Sequence, residues 1–169
     1  MLNELLRHEL LDMQARDSRA LNDALTKHGF EIWPRSPETD RHGHIVDDNT
    51  RRLAAIVSQN GWPGVPLVGD DGSIAALTLA LHTDDLNLQS RCRELVRLAI
   101  HQGHAPPRHM AFLEDRVRCR QGRPQVYGTQ FDWSGSIAEI EDPDNVNMRR
   151  KSVGLEPLPV KSHVRMNGK

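Results

Sequence analysis

With 169 residues, a formal net charge of −1, 37% hydrophobic residues and 27% charged ones, the chain has the makings of one globular domain. It is long enough to bury roughly two-thirds of its unfolded surface without staples, and its apolar content excludes an intrinsically disordered chain. The near-zero charge leaves no whole-molecule field to recruit nucleic acid or an anionic membrane.

No segment approaches the ~18 consecutive apolar residues of a membrane span. The opening stretch is charged throughout and lacks the apolar core and small-residue cleavage site of a signal peptide. Cys92 and Cys119 both fall in predicted helices, which suits reduced thiols. The expected location is the cytoplasm.

Leu2, Leu5, Leu6, Leu10, Met13, Ala20, Leu21 and Leu25 recur at helical spacing and predict an amphipathic helix over 2–28, stopped by Gly29. Pro34 and Pro37 break the chain after it, and the polar stretch to His44 reads as a surface loop. Asp47, Asp48 or Asn49 is placed to cap a second helix carrying Leu53, Ile56 and Val57 and ending near Asn60-Gly61. Residues 61–69 form a turn-rich connector. A third helix begins near Asp71 or Ser73 and runs to His82, with Ile74, Leu77, Ala80 and Leu81 inward. A fourth covers about Leu88 to His101 and stops at Gly103. Pro106-Pro107 opens a fifth, with Met110, Leu113 and Val117 as its buried stripe and Gly122 as its stop.

Beyond Gly122 the helical period collapses. Gln125 to Phe131 alternates, Ser134-Gly135-Ser136 turns, and Ile137 to Ile140 pairs back as a short β-hairpin. Asp142-Pro143 caps a last short helix that ends at Gly154. The expected architecture is mainly α: an irregular five-helix bundle of antiparallel neighbours with a short β-hairpin near 124–140 and a C-terminal arm. A single domain is expected over 1–158, with a flexible tail at 159–169.

Three constellations carry chemistry. Tyr127 is the only tyrosine, and period-2 geometry sets Gln125, Tyr127 and Thr129 on one face of the expected hairpin. That face either binds a polar ligand and presents a proton donor, or simply meets water. His82 ends the third helix beside an apolar stripe, with Asp84 and Asp85 just beyond it. A histidine beside a carboxylate is tuned as a general base near neutral pH, and a histidine at a helix C-terminus equally well satisfies its last carbonyls. On the fifth helix His109 and Arg116 share a face that suits an anion or a solvated ion-pair network, while Asp115 is placed to hold an arginine or the hairpin.

Other signals are weaker. His101-x-x-His104 is half a metal site at a helix end, and zinc requires at least three protein ligands, so no metal is assigned. Phosphate-loop, dinucleotide and nucleophile-elbow motifs are absent. Eight arginines between 91 and 123 face three acids, but Phe112 is the lone aromatic among them. Base stacking has little to work with, and the acidic stretch from Glu139 to Asp144 is the better partner for that charge.

Gly122-Arg123-Pro124-Gln125-Val126-Tyr127-Gly128-Thr129-Gln130-Phe131, preceded by Leu113-Glu114-Asp115-Arg116-Val117, resembles the hallmark of a bacterial family of unknown function. The resemblance continues through Gly61-Trp62-Pro63, Leu67-Val68-Gly69, His82-Thr83-Asp84, Glu9 to Met13 with Asp17 and Arg19, Ile140 to Pro143, and Val153 to Leu158. That family usually has Asp-Gln where this chain has Asp17-Ser18. The resemblance implies no activity. It implies that Asp17, Arg19, Trp62, His82, Asp84, Asp115, Arg116, Gln125, Tyr127 and Gln130 are family features.

The resulting expectation is a metal-independent and cofactor-independent acid–base enzyme acting on a small polar or anionic substrate. His82, Tyr127 and Asp84 are its catalytic candidates: His82 the base, oriented by Asp84 or Asp85, and Tyr127 the acid. Arg116, Gln125, Gln130 and Trp62 bind substrate, with Asp115, Asp17 and Arg19 supporting them. The alternative is a protein-binding module that uses the hairpin and the arginine-rich fourth and fifth helices. Neither nucleic acid nor a membrane is an expected partner.

Overall fold

A computed structural model describes residues 2–28, 40–132 and 135–159. The proline-broken segment at 30–37, Ser134 of the expected turn, and the expected tail from 160 onward lie outside those residues. Among the described residues the helices are α1 (Glu4–His28), α2 (Asp40–Asn60), α3 (Val65–His82), α4 (Leu86–His101), α5 (Pro107–Arg120) and the short α6 (Val146–Ser152), preceded by a 3-10 turn at Pro143–Asn145. The mainly helical expectation holds. The chain divides into two compact units, Met1–Ala105 and Pro106–Lys169.

In the first unit α1 starts where the Asn3 side chain accepts the Leu6 N–H at 3.0 Å, an N-cap that satisfies an orphan donor. Its buried face is Leu6, Leu10, Met13, Asp17, Ala20 and Ala24, whereas Leu5 is 85% exposed and lies off the stripe. The bonds to α3 climb together along both helices: Asn3 N–H to the Leu67 carbonyl, Arg7 to Asp71, Gln14 to Thr78, Asp17 to His82. The two helices therefore run parallel. Glu9 meets Arg52 and Asp17 meets His42, so α2 runs antiparallel to α1. α3 packs against α1, α2 and α4, and it buries residues around most of its circumference, as a central helix must.

α2 begins at Asp40, ahead of the start expected near Asp47. Gly43, Val46, Asn49, Leu53, Ile56 and Val57 are all buried on one face, so packing extends the helix through a stretch whose composition reads as loop. α3 likewise includes one turn ahead of the expected start. Gly69 interrupts it at φ 73°, ψ 174°, a conformation open essentially to glycine alone, and the regular helix resumes near Asp70. α4 is capped by Asp85, whose carboxylate accepts the Asn87 and Leu88 N–H groups at 2.8 and 3.0 Å. Gln89, fully buried, ties the end of α3 to α4 by donating from Nε2 to the carbonyls of Ala80, Leu81 and Thr83.

The hairpin expected in the second unit does not form. Among the described residues there is no strand, only isolated bridges between Gln125 and Ile140 (parallel) and between Phe131 and Ile137 (antiparallel). The reason is local competition for the backbone. The N–H groups of Val126, Tyr127 and Thr129 go to the Asp115 carboxylate instead of a partner strand. Gly128, at φ 70°, turns the chain between them.

Candidate functional site

Asp17 occupies a core position of α1, one turn after Met13 and one before Ala20, and is fully buried. Its Oδ2 is hydrogen-bonded to Nδ1 of His82, in the last turn of α3. Its Oδ1 faces Nε2 of His42, on α2, at 3.7 Å, an ion-pair distance too long for a hydrogen bond. The carboxylate thus stands between two imidazoles delivered by two different helices. Burial raises the Asp17 pKa, but the His42 and His82 contacts more than offset it and hold the group down to about 2. Asp17 is therefore an anion at neutral pH and only accepts, so the ring proton on His82 Nδ1 is donated to it. That tautomer leaves the lone pair on Nε2, and the His82 side chain is 33% exposed.

The carboxylate at Nδ1 is therefore that of Asp17, while Asp85, one of the two expected orienting acids, caps α4. Asp84 lies in the α3–α4 turn, directly before Asp85. Beside this cluster Thr83, also buried, shares a 2.7 Å hydroxyl bond with Thr50 of α2, which joins the end of α3 to α2.

The hallmark residues of the second unit form a different construction. Asp115, on the buried face of α5, accepts the Val126 N–H at 2.7 Å, the Tyr127 N–H at 3.0 Å, the Thr129 N–H at 3.0 Å and the Thr129 hydroxyl at 2.9 Å. Gln125 is fully buried: Nε2 donates to the carbonyls of Gln130 and Ala138, and Oε1 accepts the Gln130 N–H. From α6, Arg149 donates to the Val126 carbonyl and Arg150 to that of Tyr127. Asp115 and Gln125 thus spend their hydrogen-bonding capacity on the loop itself. Gln125 does not share an exposed face with Tyr127 and Thr129, because the segment is a set of pinned turns and period-2 geometry does not apply.

The structure thus brings Asp17 and His82 together in one unit, and Asp115, Gln125, Tyr127 and Gln130 together in the other. Gln130 donates from Nε2 to the Thr129 hydroxyl at 3.1 Å. Tyr127 is half-buried; burial first, then the charges of Asp115 and Glu114, push its phenol pKa up, so it stays protonated. Arg116 follows Asp115 on α5 and is half-buried. Trp62 is buried in the first unit, and its indole N–H has no partner among the described residues. Arg19 lies on the exposed side of α1, about 200° around the helix from Asp17. There it lines a depression of about 490 Å³ with Glu9, Asp12 and Arg16.

His42 is the residue that sequence reasoning missed. The signal was present: His42, Val46, Asn49, Leu53 and Ile56 follow one another at spacings of three and four, so both His42 and Asn49 interrupt an apolar stripe, as Asp17 does on α1. Burial pushes the Cys92 thiol up to about 12 and also raises that of Cys119, which disfavours the reactive thiolate in both. Much of the arginine charge is met internally, by Glu94 for Arg93 and Arg97 and by Glu141 for Arg118. Among the described residues no group of histidine, cysteine and acidic side chains is arranged to hold a metal ion.

The sequence pattern of a family described as a family of unknown function, DUF6624, matches residues 4–167, and the chain belongs to that family. Comparison with curated proteins and with solved structures returns no match.

Proposed function

We propose that this member of a family of unknown function is an enzyme whose own side chains perform acid–base chemistry on a small polar or anionic substrate, with His82 as the general base. The observation that carries the reading is the buried Asp17 carboxylate on Nδ1 of a histidine whose ring reaches solvent. A carboxylate there holds the productive tautomer, orients the ring and stabilises the imidazolium that forms when Nε2 accepts a substrate proton. Because Asp17 is held to about 2, the proton stays on the imidazole and the pair works as a charge-stabilised base. A buried anion with one hydrogen bond and one nearby imidazole is an expensive thing to place on a core stripe. A carboxylate whose sole task was to fill that position would be better replaced by an apolar residue, which favours a chemical role.

The test is a thermal-shift screen of metabolites, since a ligand bound only by the folded state raises its stability. Hits are then assayed for turnover. Binding or turnover lost in both His82→Ala and Asp17→Asn, with the fold retained, supports the reading. Turnover that survives both substitutions overturns it. A protein-interaction module is the second reading, favoured by Phe131 and Met148, each 67% exposed on the second unit. Capture of a protein partner that Phe131→Asp and Met148→Asp abolish, together with an empty metabolite screen, selects it.

A further inference from the structure

We infer that His42 is the acid partner of His82: the two imidazoles flank the Asp17 carboxylate and hold one proton between them, so one ring is an acid while the other is a base. The inference rests on the acid–base reading above and assigns that site its second group.

The geometry is specific. Oδ2 of Asp17 is bonded to His82 Nδ1, and Oδ1 faces His42 Nε2 at 3.7 Å. Oδ1 and Nε2 are both buried and neither has another partner among the described residues. The Asp17 side chain is 1% exposed, against 14% for His42 and 33% for His82. Each ring therefore turns one nitrogen to the carboxylate and the other away from it.

Charge then selects the proton count. With both rings neutral, the buried site carries −1; with both protonated it carries +1. A single proton makes it neutral, the state that burial favours. The ionisable groups involved are Asp17 from α1, His42 from α2 and His82 from α3. Asp84 and Asp85 follow in the turn to α4, and Asp85 is engaged as the α4 cap. When His42 carries the proton, a small closure of the 3.7 Å gap makes a charge-assisted bond, and His82 stays neutral as the base. In a turnover His42 gives its proton to one atom of the substrate as Nε2 of His82 takes one from another, so the site still holds a single proton, now on His82, with no change in total charge. Loss of that proton from His82 to water and uptake of one by His42 restore the starting state.

Two groups that share one anion titrate as a pair, which gives the test. Imidazole resonances of the full-length protein are followed by NMR between about pH 4 and 9, a range spanning the ordinary histidine pKa. The expected result is that both rings respond in two steps. His42→Gln collapses the His82 curve to one step, and Asp17→Asn, which removes the shared anion, uncouples the two rings. Acylation of His82 by diethyl pyrocarbonate, read by mass spectrometry, should show the same two-step pH profile and the same collapse. A one-step His82 curve in the wild type, or one that His42→Gln leaves unchanged, overturns the inference. If His42→Gln does not fold, the wild-type curves decide. A two-step titration in a protein without turnover upholds the shared proton while the enzyme reading fails. Turnover that needs His82 but keeps its pH profile in His42→Gln keeps the base and removes His42 as its acid.

Discussion

His109 stands near the start of α5 with 1% of its surface exposed, and Nδ1 has no partner among the described residues. Burial, aided by the charge of Arg108, lowers its pKa from 6.5 to about 4. The folded state thus binds this proton less readily than the unfolded state. The stability His109 lends is complete above 6.5 and is lost as pH falls toward 4, in total about 3 kcal/mol. Urea unfolding across that window should show this limb in the wild type and a flatter one in His109→Gln. Asp17 acts lower on the scale. Its pKa is depressed from 3.8 to about 2, so its contribution is present above 3.8 and disappears as pH falls through 2. About 1–2 kcal/mol of acid sensitivity should be missing from Asp17→Asn in the same experiment. Asp115 holds four donors of one loop, and hydrogen bonds to a charged acceptor contribute about 1.5–3 kcal/mol each before coupling is counted. Asp115→Ala should lower stability by about 3 kcal/mol or more and free the amides of Val126, Tyr127 and Thr129 to hydrogen exchange.

At the scale of the element, the junction inside α3 is the most sensitive point. Gly69 adopts φ 73°, ψ 174°, and an added Cβ would meet an Asp71 carboxylate oxygen at 3.3 Å. Strain of that kind costs about 1–3 kcal/mol, so Gly69→Ala should lower Tm measurably. An alanine at exposed Ser58, with no such backbone, should not. The pattern of apolar residues located all the long helices. It placed the starts of α2 and α3 too late, because polar residues at His42 and Asn49 interrupt the apolar stripe of α2 and the single turn ahead of Gly69 is too short to show a period. The hairpin was misread for a related reason. Alternation of Gln125 to Phe131 signals a strand only if the backbone donors are available to another strand, and a carboxylate from α5 takes them. Gly128 shows the same dependence on surroundings: a Cβ there would stand 2.9 Å from Leu158 Cδ1 and 3.1 Å from Ile140 Cδ1. Its neighbours come from later in the chain, and the dipeptide does not reveal them.

At the scale of the whole molecule, the first unit contains the parallel α1–α3 pair, the antiparallel α2, and the α3–α4 corner, together with the entire Asp17–His42–His82 cluster. Leu10, Leu53, Ile56, Val57, Val68 and Val96 are all essentially inaccessible in it. Residues 1–105 expressed alone should therefore unfold cooperatively and keep the His82 Nδ1–H bond to Asp17, visible as a protected imidazole proton. A non-cooperative, largely exchangeable fragment would contradict that. Helical class and the order of the helices followed from the sequence by itself, because hydrophobic period and cap residues are local properties of the chain. Two members of the cluster were legible as candidates: His82 stood out at a helix end, and Asp17 entered through the family resemblance. The pairing was not. Which carboxylate reaches His82, and that His42 joins it, depends on α1 and α3 running parallel in a register that sets residue 17 beside residue 82. Such a register is decided by the fit of side chains from distant parts of the chain, and only the tertiary structure holds it.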